Sequence, residues 1–422
     1  TDNQFTVTSP VLPVTIQSFE KRSLNVQFLA TSLGDQTSTI ELSFSNLSNN
    51  NGSFLAVGTA YTVPSGDIHV PADVPTIQAA IDIAGDVKTI VIAPGTYYES
   101  IDVSGPRMNI TIQSSGGPEL TIIDPQYTGR AFNLSSGYSF TIDGFTLINC
   151  GGSGLSGNGK AINAYLPDNT TLKNLIIKNA YGGISNDGII HSSIDGLSIE
   201  NVVIAGNVNT HDQGYEPAIY LMDPWPSNPA TLKNVTISNN ENYGGIHGQH
   251  QGANTDIDAQ VNVLNSVIWG NDAGYQLRIG NSDPGGTTVF EVHNSLIQNG
   301  TAGVDTIEGI QQTILNWGSS NLTSYPYFND PDSGDYSLSS YSPMIGAGAT
   351  SHTINDSTYY APNTDILGNA RPNPSGTSPD IGAYESSESV ADYNPHKYVT
   401  TTGNNSGPGT LDQPFLTIQY AI

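Results

Sequence analysis

The chain has 422 residues, with 12 Lys and Arg against 38 Asp and Glu, a formal net charge of -26. Charged residues make up 12% and hydrophobic residues 36%, while glycine (45) and proline (25) are abundant. That balance argues against nucleic acid or an anionic membrane as partner, because phosphate contacts need Lys and Arg. Small polar and β-branched residues predict many short strands and tight turns instead of long helices. No apolar run approaches the ~18 residues of a membrane span, so no membrane insertion is expected. The single cysteine, Cys150, excludes an internal disulfide framework.

Residues 1–63 read as β-strands. Leu24-Asn25-Val26-Gln27-Phe28 and Ile40-Glu41-Leu42-Ser43-Phe44 alternate apolar and polar side chains, and Phe5-Thr6-Val7 and Phe54-Leu55-Ala56-Val57 add two more strands. Next, Ile77, Ala80, Ile81 and Ala84 fall at i, i+3, i+4 and i+7, the apolar face of a short helix begun near Pro75-Thr76. Such a helix would cover the first edge of a strand array. Thr89-Ile90-Val91-Ile92 reads as a strand closed by Pro94-Gly95.

From Asn109 to about Gly300 the chain repeats imperfectly. Copies open at Gly144, Asn174, Gly196, Asn234, Asn265 and Asn294, and Asn149, Asn179, Asn201, Asn239 and Asn299 stand five residues later, with Gly270 in the fifth copy. Variable spacing above a minimum is expected of a parallel β-helix whose coils carry loops of different length. The recurring asparagines are expected to stack at one corner, each amide pairing with backbone of a neighbouring coil. About ten coils are expected.

The strings Val70-Pro71-Ala72-Asp73-Val74-Pro75-Thr76-Ile77-Gln78-Ala79-Ala80-Ile81 and Ala93-Pro94-Gly95-Thr96-Tyr97 resemble the opening of pectin-lyase-like right-handed parallel β-helix proteins. Pro326-Tyr327-Phe328-Asn329-Asp330-Pro331 and Ser342-Pro343-Met344-Ile345 resemble their closing coils. Asp365-Ile366-Leu367-Gly368-Asn369-Ala370-Arg371-Pro372 and Pro379-Asp380-Ile381-Gly382-Ala383-Tyr384-Glu385 resemble the choice-of-anchor Q terminus. Residues 1–63 resemble half of an immunoglobulin-like module of the choice-of-anchor D type. The expected architecture is all-β: a partial immunoglobulin-like sandwich (1–63), a right-handed parallel β-helix (67–386), and a linker with the start of a second β-helix (387–422). Thr417-Ile418-Gln419-Tyr420-Ala421-Ile422 repeats Thr76-Ile77-Gln78-Ala79-Ala80-Ile81 in type and order. The resemblance implies a segment of a large bacterial protein, secreted or held at the cell surface, with neighbouring domains of the same chain as partners.

The richest polar stretch is 209–283. Asp212, Asp223, His247 and Arg278 are its candidate catalytic residues, and Trp225, Tyr215, Glu216, His250 and Asp283 its candidate ligand contacts. A tryptophan platform with carboxylates suits a sugar chain, and paired carboxylates would run glycoside hydrolysis. A lyase would need a neutralised uronate and a base. The order Asn209-Thr210-His211, Asp223, Ile246-His247-Gly248, Arg278-Ile279-Gly280 is similar to that of polygalacturonase-like hydrolases, yet each element misses its catalytic component. Asp330, Asp332 and Asp335 offer carboxylates to Ca²⁺, or cap their own turn. Two functions follow: a non-catalytic structural or adhesive segment that binds polysaccharide or cell-surface glycan, or a polysaccharide lyase or glycoside hydrolase working through the 209–283 face.

Overall fold

The computed structural model describes residues 5–9, 25–28, 34–42, 52–61, 63–85, 88–103, 109–134, 139–152, 159–165, 169–182, 188–193, 196–210, 216–250, 258–281, 286–307, 312–391, 397–407, 409 and 413–418. All four strands expected before residue 63 are present. Phe5–Ser9 pairs antiparallel with Asn25–Phe28, and Gly34–Leu42 with Gly52–Ala60. These are two separate two-stranded sheets.

From Ile68 onward, every strand pair up to Trp317 is parallel, and the chain winds as a right-handed β-solenoid with three faces. The first face is a path of ten strands, from Ile68–Val70 to Thr313–Trp317. The third holds eight, from Ile101–Val103 to Val304–Ile307. Ten rungs at about 4.8 Å give a column of roughly 45 Å. The inward side chains of the first face form one aliphatic stack, Ile90, Ile112, Ile142, Leu172, Ile199, Leu232, Val263 and Val292, rung on rung. All are fully buried. Burying each such side chain is worth about 1.5–3 kcal/mol, so the column needs few ion pairs.

First and second faces meet at a one-residue corner. Strands such as Phe140–Ile148, Thr171–Lys178 and Ser198–Ala205 run through it, turning at Gly144, Asn174 and Asn201 with φ of 86°, 53° and 52°. Asparagine and glycine tolerate this left-handed conformation better than other residues. The register corrects the repeat read from sequence. Leu175 pairs with Val202, so the third copy opens at Asn201, not at Gly196. Asn201 therefore belongs to the opening column with Asn174 and Asn234. Gly206 takes its place in the closing column between Asn179 and Asn239, at φ of 65°, 55° and 54°.

The amide ladder lies one residue further on. Asn207 Nδ2 donates to Asn240 Oδ1 and Asn240 Nδ2 to Asn271 Oδ1, each at 2.8 Å, and all three are buried. Each also donates to a carbonyl of the preceding coil, that of Ile177, Ile204 or Ile237. In the two earlier coils this position holds Ala180 and Cys150. The thiol is buried, in no disulfide, and donates to Ile148 O at 3.5 Å, and burial pushes it up to about 12, in keeping with a packing role.

The predicted helix is Ile77–Ile83, with Ile77, Ala80 and Ile81 buried. It packs on the strands Ile68–Val70, Lys88–Ile92 and Ile101–Val103, plugging the open end of the column. Thr76 caps it by accepting from Ala79 N, and the Glu99 carboxylate accepts from Ile77 N and Gln78 N.

Residues 326–386 do not form a further coil. They fold back as a strap along the second face, which from Ile176 onward presents an outward, mostly apolar row, Ile176, Val203, Thr236, Val267 and Leu296, with Thr236 Oγ1 accepting from Ala383 N of the strap. Phe328, Tyr336, Met344, Ile366, Ile381 and Ala383 cover that row. The corner asparagines hold the strap: Asn201 donates to Thr364 O, Asn234 to Asp380 O, Asn265 to Ala349 O and Asn294 to Ala347 O, at 2.8–2.9 Å. Arg371 ties it down from within, with its Nε on Glu385 at 2.8 Å and its Nη1 on Asn201 Oδ1 at 2.7 Å.

In the tail, Val399 bridges Phe415 in parallel fashion and Ile418 begins a helical turn. The rest of the expected second helix lies outside the described residues. Among those described, no helix is long and apolar enough to cross a membrane.

Candidate functional site

A strand has period two, so alternate residues of the third face point outward, one per rung. The register places Asp102, Asn133, Asn163, His191, Tyr220, His247, Arg278 and Asp305 side by side in one row. Three chemistries follow one another along it. At one end Asn163 donates to Asn133 Oδ1 at 2.8 Å and Asn133 to Asp102 Oδ1 at 3.2 Å. In the middle the rings of His191, Tyr220 and His247 lie tilted to one another with centroids 5.2 and 5.0 Å apart. At the far end Arg278 pairs with Asp305 at 2.7 Å and lies 4.0 Å over the Tyr275 ring.

The middle section is buried although it faces outward: His191 is 0%, Tyr220 7% and His247 8% exposed. Tyr220 OH lies 3.2 Å from Gln249 Oε1. His247 Nε2 is buried and has no hydrogen-bond partner among the described residues. Gly280 stands beside it, and a Cβ there would come within 2.8 Å of that nitrogen. Burial, with Arg278 adding to it, lowers His247 to about 3. The ring is therefore neutral at physiological pH, able to accept a hydrogen bond and too weak a base to take a proton from carbon.

The candidate residues divide among three places. His247 and Arg278 are partners on adjacent strands, where the middle of the row meets its far end. Asp223 sits where the third face ends, with His250 Nδ1 2.8 Å from its Oδ1, and Trp225 follows it, 45% exposed. Glu216 is buried before the strand Pro217–Met222, at the opposite edge of the face. Asp212, Tyr215 and Asp283 lie outside the described residues. The carboxylate of Asp223 thus belongs to the His250 corner and not to the row of His247. Sequence reasoning missed His191 and Tyr220, whose signal is parity: they occupy the same outward position as His247 once the strands are aligned.

Of Asp330, Asp332 and Asp335, the first and last have the bonds expected of turn-capping side chains. Asp330 accepts from Ser333 N and Oγ, and Asp335 from Ser337 N and Oγ, so these carboxylates close their own turns. Among the described residues no three acidic, histidine or cysteine side chains are grouped as metal ligands.

The parallel register, single-residue corners and capped end define a right-handed parallel β-solenoid. No protein-family model and no curated protein matches the chain. Solved structures similar to it include the pectin methylesterase of Aspergillus niger (14% identity, TM-score 0.31, covering 62% of this chain and 88% of that one). Pectate lyase Pel9A is also similar (13%, 0.29, 76% and 96%), as is the A-module of the Azotobacter vinelandii mannuronan C-5 epimerase AlgE6 (15%, 0.24, 59% and 94%).

Proposed function

We propose that the third face is a polysaccharide site and that this chain binds the glycan without cleaving it. The observation that carries the reading is the outward row of the tilted His191, Tyr220 and His247 rings, with the buried His247 Nε2 lacking a partner among the described residues beside Gly280. A solenoid serving only as a spacer has no use for an outward imidazole held like that of His247, since burying a polar atom without a partner costs about 1–3 kcal/mol. A sugar hydroxyl donating to Nε2 would remove that cost. Among the described residues the non-cleaving reading is supported by three features: His247 is a weak base, Arg278 is paired with Asp305, and Asp223 belongs to the His250 corner. In this reading residues 1–63 are a partial immunoglobulin-like module, and the whole is a segment of a large secreted or surface-attached bacterial protein.

A second reading, a lyase or glycoside hydrolase on the same face, is favoured by one observation, the pairing of His247 with Arg278 on adjacent strands. Titrating the full chain with neutral and uronate polysaccharides, while following reducing ends and unsaturated products, separates the two. Binding without product, weakened about tenfold by Tyr220→Ala, is expected. Turnover abolished by His247→Ala or Asp223→Ala would establish the enzyme, and absence of any binding would refute both.

A further inference from the structure

Where the strap crosses the first face it leaves a groove of about 680 Å³, on a different face from the row of His247. Its floor is formed by Lys173, Glu200 and Lys233, which continue from Asp143 as one outward residue per rung. These charges cancel in pairs. Lys173 Nζ is 3.2 Å from Asp143 Oδ2, and Lys233 Nζ is 2.8 Å from Glu200 Oε1. The side chains stay between 18% and 37% exposed, so their polar atoms remain in reach of a ligand. Asn174 and Asn201 line the corner side, and the strap supplies Asn363 and Tyr360 opposite. Tyr360 belongs to the hairpin Ser351–Ile354 with Ser357–Tyr360 and is 68% exposed. Arg371, at the base, is committed to Glu385, Asn201 and the carbonyls of Gly382 and Ala383, so it holds the wall in place.

We infer that this groove is a second ligand site, for a short neutral oligosaccharide. The floor presents ammonium donors alongside carboxylate acceptors, and with Asp143 its charges sum to zero, while the amides of Asn174 and Asn201 are bonded to Asp143, to each other, to Thr364 O and to Arg371 and so shape the corner. Vicinal hydroxyls both donate and accept, so they engage both members of an ion pair without breaking it. An anion would have to pull a lysine away from Asp143 or Glu200, close to the buried carboxylates of Glu385, Asp365 and Asp380, on a chain of net charge -26. Exposed ion pairs are worth about 0–1 kcal/mol, so hydroxyls compete with them on nearly even terms. The exposed Tyr360 ring supplies the flat apolar face against which a pyranose packs. A volume of 680 Å³ lies inside the range of about 300–1,000 Å³ usual for small-molecule sites, which suits two to four sugar units. The site stands independently of the third face.

Calorimetry of the full chain against neutral gluco-, manno-, xylo- and galacto-configured trisaccharides, with uronate and sulfated trisaccharides alongside, tests it. At least one neutral trimer is expected to bind. Its affinity should resist high salt, fall about tenfold in Tyr360→Ala, and fall again in Glu200→Gln/Lys233→Met, with His247→Gln leaving it unchanged. Failure of every neutral trimer would overturn the inference, as would binding confined to acidic trimers and lost in salt. Neutral binding that survives Tyr360→Ala and disappears in His247→Gln would move the ligand to the third face, overturning this site and sparing that one.

Discussion

His247 and Asp380 pull the pH dependence of stability in opposite directions. Burial holds His247 at about 3, against 6.5 for an unfolded imidazole. The unfolded chain takes up a proton that the folded chain refuses, so stability falls as pH drops from 6.5 toward 3. His247→Gln should flatten that limb in melting temperatures measured across the range. Asp380 behaves in the reverse sense. Burial raises its carboxyl from 3.8 to about 7, with Glu385 adding to the effect against hydrogen bonds from Gly346 N and Ser386 N. Its contribution is full below about 4 and is lost as pH climbs through about 7. Asp380→Asn should remove that pH dependence while lowering stability throughout, because its amide nitrogen would face one of the two N–H groups, of Gly346 or Ser386, from which the carboxylate accepts. Arg371→Met is a harsher change. It strips the partner from a Glu385 side chain that is 0% exposed, and losing one member of a buried pair costs about 3–5 kcal/mol; chemical denaturation would measure it.

Within one coil, the period-two and period-3.6 patterns sufficed to find the strands and the capping helix, because burial there is decided by residues close in sequence. The register was harder. Gly196-Leu197-Ser198-Ile199-Glu200-Asn201 imitates a repeat copy, and only pairing with Leu172 and Leu175 shows that Asn201 is the corner. The ladder also left a trace, the doublets Gly206-Asn207, Asn239-Asn240 and Gly270-Asn271, in which the first residue takes the left-handed turn and the second bonds its neighbours. That division of labour is testable. Asn240→Ala orphans amide groups of Asn207 and Asn271 and should cost about 2–4 kcal/mol. At Asn179, with φ of 55°, Asn179→Gly should be nearly neutral, while Asn179→Val should cost about 1–2 kcal/mol. Unfolding free energies that rank these variants otherwise would contradict the assignment.

At the scale of the molecule, the strap was legible as a set of motifs but not as a cover. Its anchors, such as Asn234 on Asp380 and Arg371 on Asn201, join residues 146 and 170 positions apart, and no local pattern encodes such contacts. The outward, mostly apolar row from Ile176 to Leu296 was the available hint, since a solvated second face would not carry it. Replacing Met344 and Ile381 together by Asp should lift the strap and expose that row, and light scattering should then show more association than for the unaltered chain. The third face has the same origin in register: His191, Tyr220 and His247 are far apart in sequence and become one site only when the rungs stack. Imidazole resonances of the intact chain, followed as polysaccharide is added, report on that site most directly. His191 and His247 should shift together while His69 and His352 stay unchanged; glycan binding that leaves both His191 and His247 unmoved would contradict the account.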